Sequence, residues 1–202
     1  RPMLRTVVLI RHVTNLSDAR YCAGMGVEML AFPLSGPAAL TPETLRELAG
    51  WTAGVRLVGE VDATGRSGAD LNALAESCGL DYLLLTGAVS ELSMAELNHP
   101  VIREVTLENL DELPMFGEVS YAVLTGLTEA HLNDPHLATR LIEAPVPVLL
   151  AVPNPTPNAV RAALEWLPTL AGLALNGGAE TRPGVRDFGA LGEALEALEV
   201  ED

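Results

Sequence analysis

Two apolar, strand-like runs separated by a short helical segment lie near the start of the chain and constrain its fold most. The first, Thr6–His12, is apolar and β-branched, as expected of a strand buried on both faces. Ser17 is placed to cap a helix, and Gly24 and Gly26 can supply the positive φ that ends one. Val27–Phe32 follows as a second buried strand. A strand, a helix and a strand in succession predict a parallel pair joined by a right-handed crossover.

The same alternation continues to the end of the chain. Six further strands are predicted, at 55–61, 81–85, 101–105, 121–124, 147–151 and 172–175. Helical segments are predicted between and after them, starting at Thr41-Pro42 and near 69, 93, 107, 134, 156 and 188. About eight βα units in 202 residues predict a single (β/α)8 TIM barrel spanning residues 1–202. An open, doubly wound sheet is the alternative, although no Gly-x-Gly-x-x-Gly follows the first strand.

Charge and composition exclude several classes of function. The net charge of −15 disfavours nucleic acid and anionic membranes as partners. Every basic residue is an arginine, and the absence of lysine excludes Schiff-base chemistry and a Walker-type phosphate lysine. We expect no cofactor, a cytoplasmic protein without a membrane span, and a monomer or a homodimer. Cys22 and Cys78 are interpreted as buried free thiols.

Motifs near both ends of the chain resemble one enzyme family. Val13–Ala19 and Ala23–Val27 are similar to the opening of phosphoribosylanthranilate isomerase, an enzyme of tryptophan biosynthesis, and Asn176–Asp187 is similar to its phosphate-binding turn. The resemblance implies a (β/α)8 barrel of about this length that binds a small phosphorylated ligand. Gly177 and Gly178 would allow an anion to approach backbone N–H groups. Asn-Gly-Gly is also a common turn, and that alternative stays open.

The resemblance fails at the positions where the family carries its chemistry. Arg11 stands at the position of the catalytic cysteine, Thr125 at that of the general-acid aspartate, and Thr86 at that of a histidine. The family's arginine after strand two is absent near 36–38, and Val152-Pro153-Asn154 replaces its paired glycines after strand seven. Threonine has no proton to exchange near neutral pH. We therefore predict that the barrel is kept and that the isomerisation is lost.

Candidate functional residues are those at the carboxyl ends of the strands, where (β/α)8 barrels carry their active sites. Arg11 is expected either to bind a carboxylate or phosphate group, or to form a buried ion pair with Glu60 or Glu104. His131 and His136 match no strong metal-binding pattern, and no metal site is predicted. The candidate catalytic residues are Arg11, His12 and Thr125, and the candidate ligand-binding residues are Asn176, Gly177, Gly178, Asn154, Thr86 and Glu60.

Two functions fit these residues. The first is a non-catalytic barrel that binds a small phosphorylated or anionic ligand or acts as an interaction scaffold. The alternative is an active, diverged isomerase or lyase on a sugar-phosphate-type substrate that uses Arg11, His12 and a carboxylate such as Glu60 or Asp62. An open polar pocket at the strand ends would favour an enzyme or a binder. A mouth filled by side chains such as Pro33 would favour a scaffold.

Overall fold

A closed barrel of eight parallel strands forms the centre of the molecule. The computed structural model describes residues 2–177, 180–182, 185–186 and 188–201. Strand β1 pairs with β2 on one side and with β8 on the other, so the sheet closes on itself. This confirms the predicted barrel and excludes the open sheet. The strands are β1 (Val7–Arg11), β2 (Met29–Pro33), β3 (Arg56–Asp62), β4 (Tyr82–Thr86), β5 (Val101–Val105), β6 (Tyr121–Leu124), β7 (Val148–Ala151) and β8 (Gly172–Asn176).

Helices alternate with the strands, and the connection between β5 and β6 has only a short 3-10 helix, Leu110–Met115. A second 3-10 helix, Glu129–Asn133, precedes α5. After β8 the chain forms a small antiparallel pair, β9 (Glu180–Arg182) and β10 (Val185–Arg186). The α-helices are α1 (Leu16–Gly24), α2 (Pro42–Ala49), α3 (Gly68–Cys78), α4 (Glu91–Glu96), α5 (Pro135–Ile142), α6 (Pro157–Trp166) and α7 (Gly189–Ala197).

Two expectations about the helices are corrected. Asn15, not Ser17, caps α1, because its side-chain oxygen accepts a hydrogen bond from the backbone N–H of Asp18 at 2.9 Å. The helix predicted over 107–113 is a 3-10 helix over Leu110–Met115. Pro114 lies within it, and proline disfavours a continuing α-helix because it lacks an N–H and restricts the residue before it.

The barrel has two separate cores because successive side chains of a strand point to opposite faces. The larger core fills the space between the strands and the surrounding helices. The smaller one fills the barrel and consists of Leu9, Met29, Ala31, Val58, Leu84, Ile102, Val123, Leu149 and Ala174. Residues two positions further along the same strands also face the axis, at the carboxyl-terminal mouth of the barrel. Because every second side chain of a strand faces the axis, the residues that follow the interior ones line the candidate site.

Candidate functional site

Three charged side chains follow the apolar interior at the mouth of the barrel. Arg11, Glu60 and Glu104 stand two residues after Leu9, Val58 and Ile102 on β1, β3 and β5. Side chains from alternate strands share a layer in such barrels, so these three meet at one level. The apolar layer of leucine, valine and isoleucine is therefore followed by a layer of charged side chains closer to the mouth.

Arg11 is the centre of a buried ionic network. Its Nε donates to Glu60 Oε1 at 2.8 Å, and its Nη2 donates to Glu60 Oε2 at 3.2 Å. Nη2 also lies 2.7 Å from Glu104 Oε2. Arg11 and Glu60 are each only 7% exposed, whereas the Glu104 side chain is 29% exposed. The sequence predicted an ion pair with either glutamate, and the structure has both.

The two glutamates favour the charged form of Arg11. Burial alone would lower the pKa of the guanidinium, but the hydrogen bond to Glu60 and the negative charges of Glu60 and Glu104 raise it above its usual value. One arginine and two glutamates give these three side chains a net charge of −1. This part of the mouth therefore does not attract an anion.

His12 follows the network and has an uncommon backbone conformation. Its φ is +60°, in the left-handed region that non-glycine residues rarely adopt. The side chain is 56% exposed, and its Nδ1 lies 3.8 Å from Glu60 Oε2. His12 therefore stands between the buried network and solvent, where its imidazole is accessible.

Both candidate threonines bond to the barrel itself. The Thr86 hydroxyl donates to the Val61 carbonyl at 3.5 Å, and the Thr125 hydroxyl donates to the Val105 carbonyl at 3.3 Å. Asn176 ends β8 and is exposed, and Asn154 is exposed in the loop after β7. The two threonine hydroxyls thus donate to backbone carbonyls at the ends of neighbouring strands, while the two asparagines are exposed to solvent.

Gly177 lies against the start of α1. Its backbone N–H donates to the Arg11 carbonyl at 2.8 Å. A Cβ placed on Gly177 would lie 3.1 Å from Asp18 Oδ2, so a carboxylate adjoins this turn. The hydrogen bond occupies the amide that the sequence assigned to an anion, and the carboxylate opposes one. Gly178, the other predicted anion ligand, lies outside the described residues.

Asp62, the second candidate carboxylate, is exposed at the end of β3. Its Oδ1 accepts a hydrogen bond from the Thr64 backbone N–H at 3.0 Å, and bonding with Thr64 lowers the pKa of Asp62. Asp62 also donates its own backbone N–H to Ser35 Oγ at 2.8 Å. Asp62 is therefore ionised near neutral pH, and its carboxylate is only a weak proton acceptor.

The two described cavities lie on the outer wall of the barrel. One, of about 770 Å³, lies beside α4 and the 3-10 helix Leu110–Met115. The other, of about 650 Å³, lies between the second 3-10 helix and α6. Neither is lined by Arg11, Glu60 or Glu104. Pro33, which ends β2, is buried.

Arg103 lines the first cavity, and sequence reasoning missed it. The sequence analysis places Arg103 within the strand predicted at 101–105 and does not name it as a candidate residue. The available signal was its position: Ile102 and Glu104 face the axis, so Arg103 must face the helices, where a charge is unusual.

His131 and His136 have local explanations. His131 Nδ1 accepts from the Thr128 backbone N–H at 2.9 Å, and the backbone N–H of His136 donates to Asp134 Oδ1 at 2.9 Å. The described residues contain no group of three or more histidine, cysteine, aspartate or glutamate side chains that could hold a metal ion. Within the same residues, no helix is long and apolar enough to cross a membrane.

The closed barrel and its ionic mouth define the chain as a (β/α)8 barrel protein. Solved phosphoribosylanthranilate isomerases share this fold. The enzyme from Thermus thermophilus is 23% identical, with 95% of this chain and 98% of that one covered and a TM-score of 0.76. One in complex with reduced 1-(o-carboxyphenylamino)-1-deoxyribulose 5-phosphate is 17% identical, with 96% and 98% covered and a TM-score of 0.77. TrpF from Jonesia denitrificans is 22% identical, with 96% of each chain covered and a TM-score of 0.71.

These likenesses confirm the resemblance at the level of the fold. No protein-family model matches the chain, and no curated protein matches it. At such low identity a shared fold does not carry a reaction with it, so the function must be argued from the residues of this chain.

Proposed function

We propose that residues 1–202 form one barrel domain, related to phosphoribosylanthranilate isomerase, that does not catalyse that isomerisation. The observation that carries the proposal is the buried network of Arg11, Glu60 and Glu104. At the position of the family's catalytic base stands a guanidinium held by two carboxylates. Such a group stays protonated and cannot accept a proton from a substrate.

The position of the general acid supports the same conclusion. Thr125 has replaced the aspartate of the family, and its hydroxyl is engaged with the Val105 carbonyl. A threonine hydroxyl does not exchange a proton near neutral pH. With Arg11 at the other position, the rearrangement lacks both its acid and its base.

The electrostatics of the described part of the mouth favour a scaffold over a phosphate binder. The ionic network has a net negative charge, and Gly177 donates its N–H to a protein carbonyl. A phosphate dianion would have to compete for that amide close to the Asp18 carboxylate. We infer that the barrel is kept for its surfaces and not for a phosphorylated ligand at its mouth.

The first experiment is a direct assay of phosphoribosylanthranilate conversion by the purified protein. We expect no conversion above the uncatalysed rate. Conversion that is abolished in Arg11→Ala, while the variant keeps its cooperative unfolding transition, would contradict the proposal. His136→Gln, at an exposed position in the first turn of α5, is the control for the effect of a substitution as such.

A thermal-shift titration separates the scaffold from the phosphate binder. A ligand that binds only the native state raises the melting temperature by mass action. With millimolar inorganic phosphate or ribose 5-phosphate we expect no dose-dependent rise. A rise that disappears in Gly177→Val, measured against the melting temperature of that variant alone, would establish the phosphate-binding form instead.

An active, diverged isomerase or lyase is the second candidate, and His12 favours it. A strained, exposed histidine within 3.8 Å of a buried glutamate is an arrangement found at functional sites. If His12 and Glu60 exchange protons with a substrate, incubation with sugar phosphates in D2O will introduce deuterium, and His12→Gln will abolish it. The absence of exchange with every sugar phosphate tested would exclude these compounds as substrates of such a site.

A further inference from the structure

The connection between β5 and β6 leaves a groove on the outer wall of the barrel. The 3-10 helix Leu110–Met115 takes the place of a full α-helix there, and α4 forms the opposite side. The resulting space, here called the outer groove, measures about 770 Å³. Sites for small molecules commonly have volumes of about 300–1,000 Å³. Its apolar lining includes the partly buried Met94, Leu97 and Phe116.

Arg103 lines the outer groove with hydrogen-bonding capacity to spare. The residue is only 5% exposed. Its Nη1 donates to the Leu85 carbonyl at 3.3 Å and its Nη2 to the Gly87 carbonyl at 2.8 Å. Its buried Nε has no hydrogen-bond partner. A guanidinium has five N–H donors, so one edge, consisting of Nε and an adjacent Nη, retains donors for a planar acceptor.

Arg103 also has no salt-bridge partner among the described residues. None of the ion pairs among the described residues includes it, although the chain has 27 acidic residues. Glu104, its neighbour in sequence, points into the barrel and pairs with Arg11. Burial lowers the pKa of Arg103, but a guanidinium remains protonated at neutral pH. Buried charges are normally paired, and an anionic ligand would supply the ion pair that Arg103 lacks among the described residues.

Phe116 determines how a ligand can approach. The Arg103 Cζ lies 4.8 Å from the centroid of the Phe116 ring, so the ring covers one face of the guanidinium. An anion must therefore approach in the guanidinium plane, along the edge that contains Nε. The ring itself is only partly buried, at the end of the 3-10 helix.

We propose that the outer groove binds a small molecule that has one carboxylate and an apolar body. The carboxylate accepts hydrogen bonds from Nε and an adjacent Nη of Arg103. The apolar body packs against Met94, Leu97 and Phe116. Glu91 and Glu118 are exposed and also line the groove, and their charges disfavour a second negative charge on the ligand. The site thus selects a monocarboxylate over a phosphate dianion, and it is independent of the barrel mouth.

The test is a calorimetric titration of the purified protein with 2-naphthoate. We expect saturable binding that Arg103→Met weakens at least about tenfold, because the charged hydrogen bonds are lost. Arg161→Met is the matched control, since Arg161 is exposed on α6 and does not line the groove. The affinity of this variant for 2-naphthoate should equal that of the unchanged protein. The neutral analogue 2-naphthalenemethanol should bind at least about tenfold more weakly than the carboxylate.

A second variant keeps the test decisive if Arg103→Met does not fold. Ala95 is exposed on α4 and lines the groove, so Ala95→Trp fills the groove while leaving Arg103 in place. It should weaken binding of 2-naphthoate as strongly, and in the unchanged protein the Arg103 Nε–H nuclear magnetic resonance signal should shift on titration. No binding at millimolar 2-naphthoate, or equal affinity in Ala95→Trp, would overturn the proposal. Tighter binding of inorganic phosphate would overturn the monocarboxylate specificity.

Discussion

Among individual residues, Arg11 has the most demanding environment, because burial of a charge is costly unless that charge is paired and hydrogen-bonded. Glu60 meets this requirement with two hydrogen bonds from a guanidinium that is equally buried. Glu104 contributes a third contact but remains partly in water. The two glutamates therefore stabilise the same arginine to different extents.

Glu60→Gln should lower the free energy of unfolding more than Glu104→Gln does. The first substitution removes a buried charge-assisted pair, which is worth about 1.5–3 kcal/mol. The second removes a partly solvated one, for which we expect a loss of less than about 1 kcal/mol. Urea unfolding of the two variants measures the difference. An equal or larger loss in Glu104→Gln would show that Glu60 is not the main partner.

Cys22 should be almost unreactive while the protein is folded. Burial and the negative charge of Asp18 raise the pKa of its thiol to about 12, from an ordinary value of 9.0. In a Cys78→Ala background at pH 8, iodoacetamide should modify native Cys22 at least about a hundredfold more slowly than the urea-unfolded chain. Similar rates in the two states would contradict the buried environment.

The same shift gives the sign of a pH effect. Because the folded state disfavours the thiolate, Cys22 contributes stability that is present below about pH 9 and is lost as the pH rises towards 12. Unfolding free energies measured on the alkaline side should therefore fall less steeply with pH in Cys22→Ala than in the unchanged chain.

Among the structural elements, α1 shows how a local signal sets an element boundary. Both Asn15 and Ser17 are good capping residues, and they lie two positions apart. Asn15 has extended backbone angles and bonds to Asp18 through its amide oxygen and its amide nitrogen. Ser17 is left as an exposed residue of the first turn.

Asn15→Ala should therefore lower the free energy of unfolding by about 1 kcal/mol, the usual cost of losing a cap. Ser17→Ala is the matched substitution, and its effect should stay within about 0.5 kcal/mol because no cap is lost. Thermal or urea unfolding separates the two. A larger loss of unfolding free energy in Ser17→Ala than in Asn15→Ala would show that Ser17 caps the helix.

For the molecule as a whole, the pairing of β1 with β8 is what closes the barrel. Gly172 pairs with Val7 at this seam, and a Cβ on Gly172 would clash with the Val7 carbonyl oxygen. No side chain fits there without a shift of the backbone. The absence of a side chain at Gly172 therefore allows β1 and β8 to approach each other closely at the seam.

Gly172→Ala should destabilise the protein by about 1–3 kcal/mol or more, as overpacking does in a tightly packed core. Gly24→Ala is the matched control, because an added Cβ there contacts nothing within 4 Å and lies in a helix. It should be neutral or stabilising by up to about 1 kcal/mol. Comparable unfolding midpoints for the two variants would mean that the seam tolerates a side chain.

The order of strands and helices was predictable from sequence because each element carries its own local chemistry. Thr41 and Thr156 accept hydrogen bonds at helix starts as expected, and Gly79 ends α3 with a φ of +67°. The helix predicted over 107–113 is replaced by a 3-10 helix over Leu110–Met115, which contains Pro114. Local rules thus supplied the elements, and their errors stayed within a few residues.

The sequence by itself determined the alternation of eight strands with helices, because apolar periodicity, caps and turns act over a few neighbouring residues. Only the tertiary structure decided the site, since Arg11 and Glu60 lie 49 positions apart and meet through closure and register. Closure also set Gly177 against Arg11 and turned Arg103 away from the axis that Glu104 faces. Which charges pair depends on distances between strands that no local pattern encodes.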